Sequence, residues 1–156
     1  MLFRDRWILF LATGCGTGQI PLAPGTFGSL FGLLVAWCVA GWQRLWWVCF
    51  IVVFCALAVG IAHRAERLLD AKDPGSIVID EIAGILVACA GLTLTVPSAA
   101  ITFIVFRLFD IFKPFPVGWL DRHLDGGIGI VADDVAAGIL TNLVMHAGYW
   151  LMSVQG

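Results

Sequence analysis

Two pairs of adjacent acidic residues interrupt strongly apolar sequence. Asp80–Glu81 and Asp133–Asp134 are each flanked on both sides by isoleucine, valine or alanine. A carboxylate at the edge of an apolar helix is costly unless it is paired, neutralised or bound to a cation. Mg²⁺ favours carboxylate oxygens while it retains several waters. The two pairs therefore predict a Mg²⁺ site; the alternative is that each pair only marks a solvated helix start, where acids suit the helix dipole.

A third charged group combines both signs. Arg107, Asp110 and Lys113 stand at positions i, i+3 and i+6, so successive members are neighbours if the segment is helical. Arginine can bind a phosphate through two parallel hydrogen bonds, and lysine adds a point charge. We expect Arg107 and Lys113 to bind a phosphate next to the metal. The alternative is a row of interfacial ion pairs whose aliphatic stems cover apolar surface.

A glycine-rich segment precedes these groups. Glycines recur over residues 14–18 and again within 24–29, and a helix is expected to begin at about residue 28. Such a segment lets backbone N–H groups approach an anion at a helix N-terminus, and Thr26 and Ser29 are its candidate phosphate-binding side chains. It lacks the Gly-Lys-Ser/Thr ending of a nucleotide-binding P-loop, so no nucleotide site is predicted. The alternative is a simple helix-start loop.

The composition indicates where these groups are located. The 156 residues are 60% hydrophobic and only 13% charged, and the mean hydropathy is +0.96. A soluble domain is about a quarter charged, so the apolar surplus here must face something other than water, and lipid is the simplest choice. The net charge of −2 gives no indication of nucleic-acid binding. The length suits one domain, residues 1–156.

Pro, Gly and charged residues divide the chain into apolar runs. Most runs are shorter than the ~20 residues that cross a bilayer without strain, and they are continuous rather than alternating, unlike β-barrel strands. We predict an all-α integral membrane bundle of about five or six short helices with a re-entrant or interfacial N-terminal segment. Residues 117–132 are expected to be a loop. The runs cover residues 28–42, 46–62, 77–96, 98–112 and 135–152.

Charge asymmetry predicts the orientation. Five crossings with the N-terminus inside would leave Arg44 as the only basic residue outside, in agreement with the positive-inside rule. The same topology brings all the acidic groups described above to the inner face, although they were not used to choose it. A multi-pass protein with a site facing the cytoplasm is therefore predicted. The inner basic residues would be Arg4, Arg6, Arg64, Arg67, Lys72, Arg107, Lys113 and Arg122.

Four blocks in one order carry a family resemblance. They are residues 16–29, Asp73 with 78–84, 106–116 and 126–138. Together they resemble the phosphatidylglycerophosphatase A family over most of the chain. The resemblance implies a Mg²⁺-dependent phosphatase of the bacterial cytoplasmic (inner) membrane. Its partner would be a phospholipid, phosphatidylglycerophosphate, which it would hydrolyse to phosphatidylglycerol and phosphate in phospholipid biosynthesis; the oligomeric state is left open.

These observations combine into one expected site. Asp80, Glu81, Asp133 and Asp134 are expected to hold one or two Mg²⁺ ions, and Asp110 to ligate or orient. Asp80, Glu81, Asp110 and Asp134 are the expected catalytic residues. Two routes are open: Asp110 or Asp134 acts as a general base, or one of them attacks phosphorus and forms an aspartyl phosphate.

Two other functions also fit acidic residues on apolar helices. A CDP-alcohol phosphotransferase also carries several aspartates on membrane helices, and Asp125-Gly126 is a fragment of its motif, but no Ala-Arg pair follows at the required position. A cation transporter or channel subunit would also place acids within a membrane. Here the acids lie at the ends of apolar runs, which favours a catalytic site at the membrane interface.

Overall fold

The computed structural model describes residues 3–155, and these residues form seven α-helices, one short 3₁₀ helix and no β-strand. The all-α prediction is confirmed, with more helices than the five or six expected. The 3₁₀ helix, Thr17–Gln19, lies between the first two α-helices. The α-helices are α1 (Phe3–Ala12), α2 (Pro24–Val39), α3 (Arg44–Leu69), α4 (Ile79–Ala88), α5 (Val96–Phe112), α6 (Val117–His123) and α7 (Gly126–Gln155).

The short helix α4 forms the centre of the bundle. It packs against α7, α2, α3 and α5, and eight of its ten residues are buried. Ile85 and Leu86 are fully buried, as expected for a helix that is apolar on nearly all sides. Asp80 and Glu81 lie in its first turn. The core of the molecule therefore positions one of the two acidic pairs.

Two glycines bring the backbones of α4 and α7 into contact. A Cβ atom at Gly84 would lie 2.6 Å from the carbonyl oxygen of Asp134 and 2.6 Å from the ring of Phe106. A Cβ atom at Gly138 would collide with the carbonyl oxygen of Gly84. Small residues permit this kind of close helix approach. The contact places Asp134 directly beside the helix that carries Asp80.

A polar side chain completes the C-terminal end of α4. Asn142 of α7 donates two hydrogen bonds from its amide nitrogen, to the carbonyl oxygens of Ala88 at 3.0 Å and Ala90 at 2.8 Å. The last carbonyl groups of a helix have no partner within the helix. Asn142 satisfies two carbonyl groups where the helix ends and so links the end of α4 to α7.

The prediction of a loop over residues 117–132 was wrong. Its first part forms α6, and α7 begins at Gly126. A Cβ atom at Gly127 would lie 2.7 Å from His63 Cβ, and one at Gly129 would collide with the carbonyl oxygen of Leu124. These glycines therefore allow close packing of a helix, a function that glycine content in the sequence does not distinguish from loop flexibility.

Two predicted boundaries also change. The run 77–96 is helical only over Ile79–Ala88, about 15 Å, so this run does not cross a ~30 Å hydrocarbon layer as one continuous helix. Helix α2 begins at Pro24, four residues before the expected start at 28. Proline suits the first position of a helix because the missing N–H would have no helical partner there.

Within residues 3–155, two helices are long and apolar enough to cross a membrane, judged by length and composition. They are Arg44–Leu69 and Gly126–Val154. The first would extend about 39 Å. Its outward face is apolar: Leu45, Val52 and Leu57 are each 59% exposed or more. Contiguous exposed apolar surface on this scale marks a membrane or protein contact.

The glycine contact can be tested by stability. Gly138→Ala should destabilise the protein by about 1–3 kcal/mol, because the added methyl group overpacks the α4–α7 contact. Gly60→Ala is the matched control, since no atom lies within 4 Å of a Cβ there and alanine favours a helix by up to ~1 kcal/mol. Thermal unfolding of the purified variants measures both. Equal effects of the two changes would contradict the proposed packing role.

Candidate active site

Three carboxylates from two helices converge at one end of the bundle. Asp80 and Glu81 come from the first turn of α4, and Asp134 from more than two turns inside α7. Their ligand oxygens all lie within 4.8 Å of one another. Asp80 is 7% exposed and Asp134 4%. In each of the three residues one carboxylate oxygen is buried without a hydrogen-bond partner: Asp80 Oδ1, Glu81 Oε2 and Asp134 Oδ1.

This arrangement fits a divalent cation. Buried like charges are unfavourable both because water is removed and because they repel each other. Mg²⁺ holds oxygen ligands at about 2.1 Å, so two ligands on opposite sides of the ion are about 4.2 Å apart. The three carboxylate oxygens here lie within 4.8 Å of one another, which is close to that separation. A donor set of carboxylate oxygens is typical of Mg²⁺, Ca²⁺ or Mn²⁺. The unpartnered oxygens are therefore placed where a cation would use them.

An arginine lies beside the carboxylates. Arg107 Nη1 donates hydrogen bonds to Asp110 Oδ2 and, at 3.4 Å, to Ser29 Oγ. This confirms that Arg107 and Asp110 are neighbours on one helix. Asp110 also lies close enough for its negative charge to disfavour a negative charge on Glu81 and on Asp134. Arg107 Nε is buried without a hydrogen-bond partner, so the guanidinium group retains a donor for a further acceptor.

The N-terminus of α2 contacts the same cluster. A Cβ atom at Gly25 would collide with Glu81 Oε1 and lie 3.1 Å from Arg107 Nη1. Ser29 is buried, and its hydroxyl donates to the carbonyl oxygen of Gly25 at 2.8 Å while it accepts from Arg107. Thr26 is half-buried and follows Gly25 in the first turn. The glycine-rich segment thus brings the positive end of a helix dipole to the carboxylates and the arginine.

Lys113 differs from the prediction. It ends α5 in a left-handed conformation, with φ 46°, and so does not continue the helical row with Asp110. Its ammonium group donates to Asp121 at 2.5 Å and Asp133 at 2.8 Å. Burial lowers the pKa of this group, but the hydrogen bonds to the two aspartates outweigh burial and raise the pKa above its ordinary value. Its role as a phosphate ligand stays a prediction.

Asp133 occupies a different position from Asp134. Adjacent residues point about 100° apart around a helix, and Asp133 pairs with Lys113 rather than joining the three clustered carboxylates. Sequence reasoning missed Asp121, the second partner of Lys113, because it lies within α6, in the segment predicted to be a loop. A single aspartate in a polar segment gives no signal that distinguishes it from a solvated surface residue. Asp121 and Asp133 line a cavity of about 240 Å³ together with Glu66, Lys72, Asp73 and Asp125.

Comparisons with known proteins identify the family of the chain. A family model described as Phosphatidylglycerophosphatase A matches residues 10–149. Phosphatidylglycerophosphatase A of Escherichia coli (strain K12) is 34% identical over 145 residues, 91% of this chain and 83% of that protein. The protein of the same name from Haemophilus influenzae is 36% identical over 151 residues, 93% of this chain and 91% of that protein. No solved structure matches the chain. The chain belongs to the phosphatidylglycerophosphatase A family.

Proposed function

We propose that this protein is a Mg²⁺-dependent lipid phosphatase that hydrolyses phosphatidylglycerophosphate to phosphatidylglycerol and inorganic phosphate. The observation that carries the proposal is the convergence of three carboxylates, each with a buried unpartnered oxygen, beside an arginine with a free donor. Phosphate esters need positive charge around the transferred group, and a metal site next to arginine provides it. The substrate is proposed from the names of the relatives.

The residues take distinct roles in this proposal. Asp80, Glu81 and Asp134 hold the ion, which supplies positive charge that offsets the charge of the phosphate. Arg107 is held by Asp110 and Ser29, which leaves its Nε–H to donate to a phosphate oxygen.

Asp110 is the remaining carboxylate beside this cluster, since Asp80, Glu81 and Asp134 are assigned to the ion. We propose that it accepts a proton from the attacking water. The bond between phosphorus and the glycerol oxygen breaks, and Asp110 gives the proton to that oxygen as it leaves. Direct attack of Asp110 on phosphorus is the competing route. The stereochemistry at an isotopically chiral phosphate separates the two, because one displacement by water inverts the configuration at phosphorus, whereas two successive displacements through an aspartyl phosphate retain it.

We place the site at the cytoplasmic face of a multi-pass bacterial membrane protein. Helices α3 and α7 have the length to span, and the site lies where α3 and α5 end and α4 and α7 begin. The basic residues Arg64, Arg67 and Lys72 belong to this end of α3 or follow it, whereas Arg44 begins α3 at the other end. This distribution supports a cytoplasmic location. The lipid head group would reach the site while the acyl chains stay in the bilayer.

Substitution of the clustered carboxylates should abolish turnover. We expect Asp80→Asn and Asp134→Asn each to lower Mg²⁺-dependent phosphate release from phosphatidylglycerophosphate by roughly 100-fold or more, because even partners of metal ligands are worth 10–100-fold. Asp70→Asn is the matched control: Asp70 is exposed and left-handed, a conformation that asparagine adopts readily. Near-normal turnover in both site variants, with helix content intact, would refute the assignment.

The cation should also change stability. Without divalent ions, Asp80→Asn should raise the melting temperature, because it removes one of three buried like charges. With Mg²⁺ at 100 times its Kd, the free energy of unfolding of the unchanged protein should rise by about 2.7 kcal/mol. The unchanged protein should then melt at a higher temperature than the Asp80→Asn variant. Asp133→Asn serves as a control that keeps the Mg²⁺-dependent gain, since Asp133 pairs with Lys113. A melting temperature indifferent to Mg²⁺, or an equal loss of the gain in both variants, would contradict the ligand set.

A further inference from the structure

A second polar cavity lies at the opposite end of α3 from the candidate active site. It measures about 200 Å³ and is lined by Trp42, Arg44, Trp47 and Thr93 together with small and aliphatic residues. Arg44 is the one charged side chain in this lining. It begins α3, whose 26 residues extend about 39 Å toward Leu69. Cys89 in the lining directly follows α4, and Asp80 lies in the first turn of that helix, so about 15 Å of helix separates the cavity from the carboxylate cluster. The position of Arg44 assigns the cavity to the other membrane face in the placement proposed above.

The polar groups at the start of α3 that face this cavity are hydrogen-bond donors, and they lack an acceptor. The first N–H groups of α3 have no partner within the helix, no side chain caps them, and the first turn holds no acidic residue. Arg44 adds a positive charge at the positive end of the helix dipole, which is unfavourable by itself. Trp47 is 5% exposed, and its indole Nε1 has no hydrogen-bond partner in the described part of the chain. An anion would relieve each of these deficits.

An apolar cavity adjoins the polar one. It measures about 330 Å³, is lined by Trp42, Gln43 and Trp46, and shares Trp42 with its neighbour. Trp42 is 51% exposed and Trp46 63% exposed. Tryptophan side chains are enriched at the membrane interface, where one end of the ring is apolar and the other polar. A ligand that uses both cavities needs an anionic group attached to an apolar body.

We infer that this end of the protein binds a phospholipid of the leaflet opposite the proposed active site. Arg44 and the N-terminus of α3 bind its phosphate, and Trp47 contributes the indole N–H. The glycerol and the upper acyl chains lie against Trp42 and Trp46. The inference uses the membrane placement of α3 but not the catalytic assignment, because no residue here belongs to the proposed reaction.

Native mass spectrometry of the purified, delipidated protein in detergent and EDTA tests the inference. Phosphatidylglycerol should be retained by the unchanged protein, and Arg44→Gln should lower the retained fraction roughly tenfold, the value of one charged hydrogen bond. Arg67→Gln, an exposed arginine near the other end of α3, should not change it. Arg44→Lys should restore part of the binding. Diacylglycerol, which lacks the phosphate, should not be retained.

The outcomes separate lipid from a free anion. Trp42→Leu should lower phosphatidylglycerol retention, and inorganic phosphate at millimolar concentration should not displace the lipid. Equal lipid retention by the Arg44→Gln and Arg67→Gln variants would overturn the inference. So would retention of diacylglycerol at the level of phosphatidylglycerol, or displacement of the lipid by inorganic phosphate. Since the readout involves no turnover, failure of the proposed phosphatase activity leaves it unaffected.

Discussion

The architecture depends on holding three carboxyl groups close together inside an apolar bundle. Repulsion and loss of hydration both oppose such an arrangement, so the packing around it must prevent the carboxylates from separating. Gly84 and Gly138 accomplish this by bringing the backbones of α4 and α7 into contact. Asp80 and Asp134 are thereby fixed on regular helices rather than on loops. A site built on helices keeps its ligand positions more accurately than one built on flexible segments.

The immediate surroundings divide the remaining charges into two groups. Arg107 and Asp110 belong with the three carboxylates, and Ser29 connects them to the first turns of α2. Lys113 instead joins Asp121 to Asp133. Two neighbouring aspartates on α7 thus serve different partners. Asp134 contributes to the proposed cation site, and Asp133 anchors the segment that follows α5.

Much of this site could be predicted from local sequence. Acidic pairs within apolar runs indicated Asp80, Glu81 and Asp134, which do cluster, because a carboxylate in such a place needs a partner. The same pattern predicted Asp133 as a metal ligand, whereas the structure pairs Asp133 with Lys113. The spacing of Arg107 and Asp110 correctly predicted their pairing. The expected helical position of Lys113 was wrong because Pro114 follows it, and the residue before a proline is disfavoured in the helical conformation. The predicted loop at the start of α7 was wrong because packing, rather than local preference, decides the conformation there: Gly127 lies against α3, and Gly129 against the carbonyl group of Leu124.

The half-length helix α4 has a consequence for biogenesis. The carbonyl group of its last residue, Ala88, and that of Ala90 just beyond it accept hydrogen bonds from Asn142, a residue synthesised more than fifty positions later. A helix end without a partner is strongly disfavoured away from water, so in the proposed membrane placement this end of α4 is completed only once α7 has been made. The two helices would then join late in biosynthesis, and a chain that stops before Asn142 would lack this partner.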